Sequence, residues 1–403
     1  MARGGHVCAT QKNDRPVAEV AQIAPEFRYN ALRTLQGTPC ETGTDLSTPA
    51  HYTGTAARLK AFAAYFKQNR HFLATVLRQY VWNTVNIRLL ERTRTIEPLS
   101  AIFYVTHRCN LACHYCTQKY PDVLSQEVST EKTIEILRIV RRELRSLYVT
   151  GGEPLCRSDL EEILQAAQEL GFNTILHTNG VLLDRREKVL DHIASLVISL
   201  DSMDEGRFDS VTQSAPGTTR RILANIMRYG RQMLATGRFM TINCVIDART
   251  VDGVYEVMEF CREHGFIFSC CSALKNDLTP YELLSNAAYL RLTDHILESK
   301  RCKRLRINGS LEELEYILKF KDFNCYPTLF ARIYPNGDIY YPCVPLRTVG
   351  GNLFETPSLK EIYRRARITF GEVPDCRGRC HLYSNITSHF YVHKFWNLAA
   401  EYK

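Results

Sequence analysis

The pattern of hydrophobic and polar positions divides this chain of 403 residues into four segments. Residues 1–57 have little apolar periodicity and scattered Gly, Pro and Thr, which predicts a poorly ordered extension. Within residues 58–97, apolar side chains recur at helical spacing with basic residues between them, as in an amphipathic helix. Strand and helix patterns alternate through residues 98–317. Short aromatic and Gly/Pro-rich pieces follow in residues 318–403 and predict a small separate module, continuous with the preceding domain.

The alternating segment carries six strand patterns separated by helical ones. The predicted strands are 101–106, 146–150, 174–178, 195–200, 240–246 and 266–273. The predicted helices are 130–144, 159–171, 185–194, 219–236 and 252–264. We expect Thr130 to cap the first helix and Gly171 to cap the end of the second. Such repeats predict a parallel sheet with helices outside, curved towards a barrel, whose ligands bind at the carboxyl ends of the strands. In the C-terminal module, Asn336-Gly337 predicts the turn of a β-hairpin.

Basic residues are concentrated ahead of the alternating segment. The formal net charge is +8, and residues 58–94 hold eight Lys or Arg against one acid. Such a region can bind nucleic acid, an anionic membrane surface or an anionic substrate, or can simply be a solvated helix face. It contains no nucleic-acid motif, so we expect no nucleic-acid partner. No apolar run reaches the ~18 residues of a membrane span and no signal peptide is visible, so we expect a cytoplasmic protein, with peripheral membrane contact as one alternative.

Fifteen cysteines in a reducing compartment point to ligation or redox chemistry rather than disulfides. Three of them, Cys109, Cys113 and Cys116, crowd into RCNLACHYCTQ directly after the first predicted strand. A [4Fe–4S] cube is usually held by four thiolates, so three would leave one iron open to another ligand. Zinc, completed by His107 or His114, is the alternative, because structural zinc takes four ligands. The remaining alternative is that the three thiols are buried near one another by chance and bind no metal.

The spacing C-x3-C-x2-C, with an aromatic residue before the last cysteine, resembles the radical SAM superfamily. GGEP, residues 151–154 after the second strand, extends the resemblance, as do LHTNG (176–180) and SLDS (199–202) at the next two strand ends. The resemblance implies a partial (β/α)6 TIM-type barrel and S-adenosylmethionine (SAM) on the open iron of a [4Fe–4S] cluster. The cofactor-binding residues it implies are Tyr115, Gly151, Gly152, Glu153, Ser199 and Asp201. For Asp201, a helix cap is the alternative.

The resemblance also implies an activity. A reducing partner such as flavodoxin or ferredoxin would supply an electron, SAM would be cleaved, and a 5′-deoxyadenosyl radical would abstract hydrogen from a substrate. No residue is assigned as the one that acts on the substrate. A non-enzymatic iron–sulfur electron carrier is the alternative from another class, and it would need no SAM.

A second cysteine group lies in the C-terminal module. Its members are Cys325, Cys343, Cys376 and Cys380. They resemble the SPASM/twitch extensions that follow many radical SAM barrels. A full SPASM module has seven or more cysteines, so four imply one auxiliary [4Fe–4S] cluster of the shorter twitch type. A zinc site is the alternative. Six other cysteines, Cys156, Cys244, Cys261, Cys270, Cys271 and Cys302, are expected to be small buried hydrophobes, and His177 a core histidine.

These features predict a radical SAM oxidoreductase with its substrate class left open. An auxiliary cluster makes an oxidative modification feasible. The basic segment favours a small metabolite or an amphiphile, such as a tetrapyrrole- or lipid-like biosynthetic intermediate. A ribosomally made peptide is the alternative, which we expect less because no leader-peptide-binding domain is visible ahead of the barrel.

Overall fold

The computed structural model describes residues 96–116, 127–274, 278–377 and 379–394, together with four isolated positions between 78 and 85. The predicted extension and nearly all of the basic amphipathic segment lie outside the described residues. The predicted boundary after residue 317 falls at the end of a helix, Leu311–Leu318.

One sheet of nine strands organises the described chain, in the order β6-β5-β4-β3-β2-β1-β7-β8-β9. The strands are β1 Ser100–Tyr104, β2 Ser146–Thr150, β3 Asn173–Thr178, β4 Ser195–Ser199, β5 Phe239–Ile246, β6 Ile267–Ser272, β7 Phe330–Ile333, β8 Asp338–Tyr340 and β9 Val349–Asn352. Neighbours from β6 to β7 pair in parallel, and β7, β8 and β9 pair antiparallel. The six predicted strands and their parallel order are confirmed, and the sheet is that of a partial TIM-type barrel.

The two faces of the sheet differ because side chains alternate along each strand. In β5, Met240, Ile242, Cys244 and Ile246 are buried in the core, and the residues between them are only half-buried. The same alternation runs through β3. None of the strands β1 to β6 contains a charged residue. The half-buried face therefore offers neutral polar and aromatic side chains.

Helices cover the other face of the sheet. They are α1 Thr130–Arg141, α2 Leu160–Glu169, α3 Glu205–Thr212, α4 Thr218–Asn225, α5 Arg231–Ala235, α6 Val251–His264, α7 Ala287–Arg301, α8 Leu311–Leu318, α9 Leu359–Phe370 and α10 Tyr383–His393. A π-helical turn, Ile226–Gly230, joins α4 to α5, so the predicted helix 219–236 is continuous but not uniformly α-helical. Within the described residues, no helix combines the length and apolar composition needed to cross a bilayer.

Three local predictions need correction. The residue that caps α1 is Ser129, whose extended backbone lets its side chain accept from the Lys132 N–H, and Thr130 is already helical. The cap of α2 is Leu170, and Gly171 follows it at φ +77°. The predicted helix 185–194 is two 3₁₀ turns, Leu183–Arg185 and Glu187–His192, because Arg186 between them leaves the helical region at φ −134°.

The C-terminal module continues the barrel sheet. Strand β7 pairs with β1 in parallel, with Ile102 opposite Arg332. The predicted hairpin is confirmed: β7 and β8 pair antiparallel around Asn336-Gly337, and Gly337 has φ +84°. This continuity places the second cysteine group beside the first strand of the barrel.

Candidate functional site

The three cysteines of the first group follow β1 at the carboxyl edge of the sheet, and all three are half-buried. Burial raises the pKa of the Cys109 and Cys113 thiols to about 12, and the nearby Cys116 thiol adds to the effect in both. The three thiols thus form one group, in which Cys109 and Cys113 stay protonated unless a cation compensates the thiolate charge. This chemistry fits a metal-bound group.

Gly151 and Gly152 hold the cysteine loop against the end of β2. The Gly152 N–H donates to the Thr106 carbonyl at 2.8 Å, and the Glu153 N–H donates to the Arg108 carbonyl at 2.7 Å. A Cβ on Gly151 would lie 2.3 Å from the Thr106 oxygen, and a Cβ on Gly152 would lie 2.4 Å from the Arg108 oxygen. Only glycine allows this approach of two backbones.

We expect Gly152→Ala to displace the cysteine loop. The new methyl group would overlap backbone atoms rather than a side-chain end that could move aside. The free energy of unfolding should fall by about 1–3 kcal/mol, and the iron retained after reconstitution should fall with it. The matched control is Gly206→Ala in α3, where the nearest heavy atom to a Cβ lies at an ordinary 3.5 Å. Equal stability and iron content in both variants would contradict the prediction, as chemical denaturation and iron analysis will show.

Glu153 is 1% exposed and links the ends of β2 and β3. Its Oε1 accepts from the Leu155 N–H at 3.0 Å and from the Thr178 hydroxyl at 2.6 Å, and its Oε2 accepts from the Asn179 N–H at 2.7 Å. Burial raises the pKa of this carboxyl to about 7, against the lowering effect of these bonds. Since each carboxylate oxygen can accept two hydrogen bonds, Oε2 retains one acceptor site for a further donor.

Asp201 connects the end of β4 to the cysteine loop. Its carboxylate accepts a hydrogen bond from the Tyr115 hydroxyl and another from the Val245 N–H, the latter at 2.8 Å. Burial raises the pKa of Asp201 to about 6. The cap of α3 is Asp204, which accepts from the Arg207 N–H, so Asp201 does not cap that helix. Ser199 is the last residue of β4 and is half-buried.

Three further contacts that sequence reasoning missed hold the cysteine loop in place. The ring of His114 lies between the Val211 carbonyl, at 3.1 Å from Nδ1, and Asp247 Oδ2, at 3.0 Å from Nε2. The Asn179 side chain donates to Asn110 at 2.8 Å. Asp247 directly follows the carboxyl end of β5. Its position could have identified it from the sequence, because ligand-binding residues gather at strand ends.

The four cysteines of the second group line one cavity of about 480 Å³. They are Cys325, Cys343, Cys376 and Cys380. Burial raises the pKa of Cys325 well above the usual range, and the thiols of the other three raise it further. The sequence prediction that these four cysteines belong together therefore agrees with their placement. Within the described ranges, no group of three or more His, Cys, Asp and Glu side chains is arranged to hold a single metal ion.

Aromatic side chains cluster where β1 pairs with β7. The rings of Tyr104 and Tyr334 stack at 4.9 Å, and Tyr340 lies 4.1 Å from Tyr334 on its other side. His107, beside the first group, is 5.5 Å from Tyr334. The charge of Cys116 raises the pKa of Tyr104, in addition to the larger effect of burial. The pairing of β1 with β7 thus places both groups on one continuous scaffold.

Of the other cysteines, Cys156, Cys244, Cys261 and Cys270 are buried as expected. Cys271 and Cys302 are only half-buried, because Cys271 lies on the half-buried face of β6 and Cys302 follows the end of α7. His177 lies on the half-buried face of β3, with its ring 5.9 Å from that of Tyr148. Burial lowers the pKa of His177 to about 4, so the ring is neutral near pH 7.

This low pKa predicts a loss of stability in acid. The unfolded chain takes up a proton near the ordinary pKa of 6.5, whereas folded His177 does not until about 4. The free energy of unfolding should therefore fall as the pH falls through this interval, by about 1 kcal/mol between about pH 6.5 and about pH 5.5 from this residue. His177→Asn should remove that part of the pH dependence. Denaturant titrations at both pH values will check it, and identical slopes for the two proteins would contradict the prediction.

Comparison with known proteins defines the class. Residues 103–261 match the family model described as the Radical SAM superfamily. These residues begin within β1 and include the first cysteine group, GGEP and the strand ends that meet it. Over these residues the chain is therefore similar to the radical SAM superfamily of enzymes, and that similarity implies a [4Fe–4S] cluster and SAM.

Two curated relatives are named as probable GTP 3′,8-cyclases. The protein of Methanococcus aeolicus is 30% identical over 173 residues, which are 40% of this chain and 55% of the relative. The protein of Methanosarcina acetivorans is 28% identical over 264 residues, 62% of this chain and 75% of the relative. The chain thus spans about half the length of the first relative and three quarters of the second.

Solved structures share the fold at low identity. Streptococcus suis SuiB bound to S-adenosylmethionine has a TM-score of 0.53 and 21% identity, over 69% of this chain and 68% of that one. The structure titled "Native anSMEcpe with bound AdoMet and Cp18Cys peptide" has a TM-score of 0.52 and 19% identity, over 76% and 99%. At this identity the likeness concerns the architecture alone.

Proposed function

We propose that this chain cleaves SAM reductively at a cluster held by Cys109, Cys113 and Cys116, and uses the product to oxidise a small or amphiphilic substrate. The observation that carries the proposal is a convergence at one sheet edge. The chain entering the cysteine loop accepts backbone hydrogen bonds from Gly152 and Glu153 after β2, and Tyr115 in the loop donates to Asp201 after β4. A non-enzymatic electron carrier would not need these contacts around an open iron.

The residues around the loop have distinct proposed roles. When bound, the cluster and SAM supply a 5′-deoxyadenosyl radical for hydrogen abstraction. Gly151 and Gly152 set the distance between the loop and β2, and the remaining acceptor site of Glu153 binds the ammonium group of SAM. Tyr115 and Ser199 contribute to the SAM site beside Asp201. Burial keeps the thiols and carboxylates in a water-poor environment, where their interactions with bound charges are strong.

For the second group we propose one auxiliary [4Fe–4S] cluster, in a module spanning residues 318–403. The cavity that the four cysteines line has about 480 Å³, room for a polynuclear group rather than a bare ion. Four thiolates would complete the coordination of all four irons. Such a cluster can take up the electron that remains after hydrogen abstraction, and a carrier such as flavodoxin or ferredoxin serves the first cluster as reductant.

The neutral, half-buried face of the barrel sheet indicates which class of substrate can bind. Strands β1 to β6 carry no charged side chain, and their half-buried positions include Tyr104, Tyr148, His177 and Asn243. Such a surface suits a substrate whose reacting part is uncharged and partly apolar, because it offers hydrogen bonds and aromatic contacts without counter-ions. We therefore favour a small metabolite or a tetrapyrrole- or lipid-like intermediate. The names of the two curated relatives concern a small-molecule reaction as well.

A ribosomally made peptide is the second candidate. The structures of SuiB with its precursor peptide and of anSMEcpe with a peptide share the fold over 83% and 76% of this chain. The coverage is too large for the barrel alone, so it favours a shared arrangement of barrel and C-terminal module.

The deciding experiment compares a deletion strain with strains complemented by the wild type or by the Cys109, Cys113 and Cys116 triple alanine variant. Mass spectrometry of lipid, small-molecule and peptide fractions should show a metabolite that accumulates in the deletion and triple-variant strains alone. Its product should differ by loss of hydrogen. A difference confined to the peptide fraction would replace the favoured substrate class by the second candidate.

Membrane contact through the basic segment is a separate proposal. Lys60, Lys67 and Arg70 lie outside the described residues, and Arg78 is exposed. If these charges attract anionic lipid, each contributes about 1 kcal/mol near the surface, and the effect fades with salt. The wild type should float with anionic liposomes at low salt, and a variant with glutamine at all four positions should not. Equal flotation would leave the segment as a scaffold element.

A further inference from the structure

Arg332, on β7, is a guanidinium that is 2% exposed. Its Nη1 donates to the carbonyls of Pro327 and Phe330, at 3.0 and 3.2 Å. Its Nη2 donates to the Ser384 hydroxyl at 2.7 Å and to Asn385 Oδ1 at 3.0 Å. All four acceptors are neutral, so the hydrogen bonds hold the side chain in place without cancelling its charge.

No carboxylate of the described residues forms an ion pair with Arg332. An isolated buried charge is strongly destabilising, and proteins retain one where an opposite charge lies nearby. Arg157, the other arginine buried to this extent among the described residues, follows this rule, since it pairs with Asp159 at 2.8 Å. Arg332 therefore calls for an anion that the protein side chains do not supply.

The position of Arg332 identifies that anion. Two of its acceptors, Pro327 and Asn385, line the cavity of the second cysteine group. The Asn385 amide in turn reaches Cys380 Sγ at 4.0 Å. Arg332 thus lies directly behind the residues that line the cavity of the four cysteines.

The arginines at the cavity mouth are different. The arginines that line the cavity itself are Arg347, which is half-buried, and Arg377 and Arg379, which are exposed, and Arg377 pairs with Asp375 at 2.5 Å. Water and salt screen such charges, whereas a buried charge acts at nearly full strength. Arg332 is accordingly the most buried arginine at this cavity, and solvent screens its charge least.

We propose that Arg332 is the fixed counter-charge of the group held by Cys325, Cys343, Cys376 and Cys380, and that it raises the reduction potential of that group. The proposal rests on the proposed second [4Fe–4S] cluster. Taking up one electron adds one negative charge to a cluster that is already anionic with four thiolates. A buried cation stabilises the reduced form more than the oxidised one, which eases electron uptake. Arg332 is a positioning residue, since it acts through the cavity wall.

The test uses full-length protein in which Cys109, Cys113 and Cys116 are alanine, so that only the second cluster remains. Redox titration against dithionite, followed by electron paramagnetic resonance, measures its midpoint potential. Arg332→Gln should lower the equilibrium constant for one-electron reduction at least tenfold, which corresponds to about 59 mV. Arg332→Lys keeps the charge and should retain most of the wild-type potential. Arg379→Gln, at the exposed mouth, is the matched control and should change little.

If Arg332→Gln does not retain iron, a second variant provides the measurement. Asn385→Asp keeps the guanidinium but sets a carboxylate against it, so it should lower the potential in the same direction. A wild-type potential in either variant that retains iron would overturn the proposal. Loss of iron from both variants with retention in Arg332→Lys supports it, and loss in Arg332→Lys as well overturns it. Absence of iron from the parent protein would instead refute the proposed cluster itself.

Discussion

Replacing Cys109, Cys113 and Cys116 together by alanine will reduce the formation of 5′-deoxyadenosine from SAM to background. The wild type, reconstituted anaerobically and given dithionite, should cleave SAM, because three thiolates leave one iron open to it. Without these thiols the open-site cluster cannot assemble, and among the described residues of the loop, 107–116, the side chains that could replace them as donors are His107 and His114. Liquid chromatography of 5′-deoxyadenosine over time is the measurement.

The matched control is Cys261→Ala, which removes a thiol that is wholly buried in α6, away from the loop. It should lose some stability and retain SAM cleavage. Formation of 5′-deoxyadenosine by the triple variant at the wild-type rate would show that the cluster is not held by this loop.

Iron analysis will separate an iron–sulfur cluster from zinc in the second cysteine group. We expect about eight irons per wild-type chain, since seven cysteines in two groups fit one three-thiolate and one four-thiolate cube. The triple alanine variant should keep about four, held by the group around the cavity. Iron and zinc are to be measured on the same samples, with acid-labile sulfide as a check on cluster type.

The reciprocal variant replaces Cys325, Cys343, Cys376 and Cys380 by alanine and should also keep about four irons. It serves as the control for general loss of fold, because the first cluster and its spectrum should persist. One tightly bound zinc in the triple variant, with little iron, would favour a structural zinc site and remove the basis of the oxidative mechanism.

Both expectations start from local spacing along the chain. The period-two pattern of β5 and the thiol intervals of four and three after β1 are properties of short segments, so they can be read without knowing which segments meet. The predicted helix ends were less accurate than the predicted strands. Ser129 and Thr130 are both good capping residues, and the choice depends on where the backbone leaves the extended conformation.

The contacts around the site depend on residues far apart in the chain. His114 meets Asp247 across 133 positions, and Asn110 meets Asn179 across 69. Neither pair has a local sequence pattern. Strand order and register determine which strand end faces which loop. The hydrogen bonds of Glu153 depend on distant residues in the same way, since its carboxylate accepts from Thr178 and Asn179.

The sequence by itself indicated the alternating strands and helices, the spacing of the two cysteine groups and the resemblance to the radical SAM superfamily, because hydrophobic period and ligand spacing are properties of short segments. Only the tertiary structure decided that β7 joins β1, which brings the second group alongside the first strand and encloses Arg332 behind it. From the sequence alone, an arginine in a strand is predicted to lie on the surface. Its burial without a carboxylate is visible only once the strands are paired, because desolvation depends on what surrounds a side chain in space.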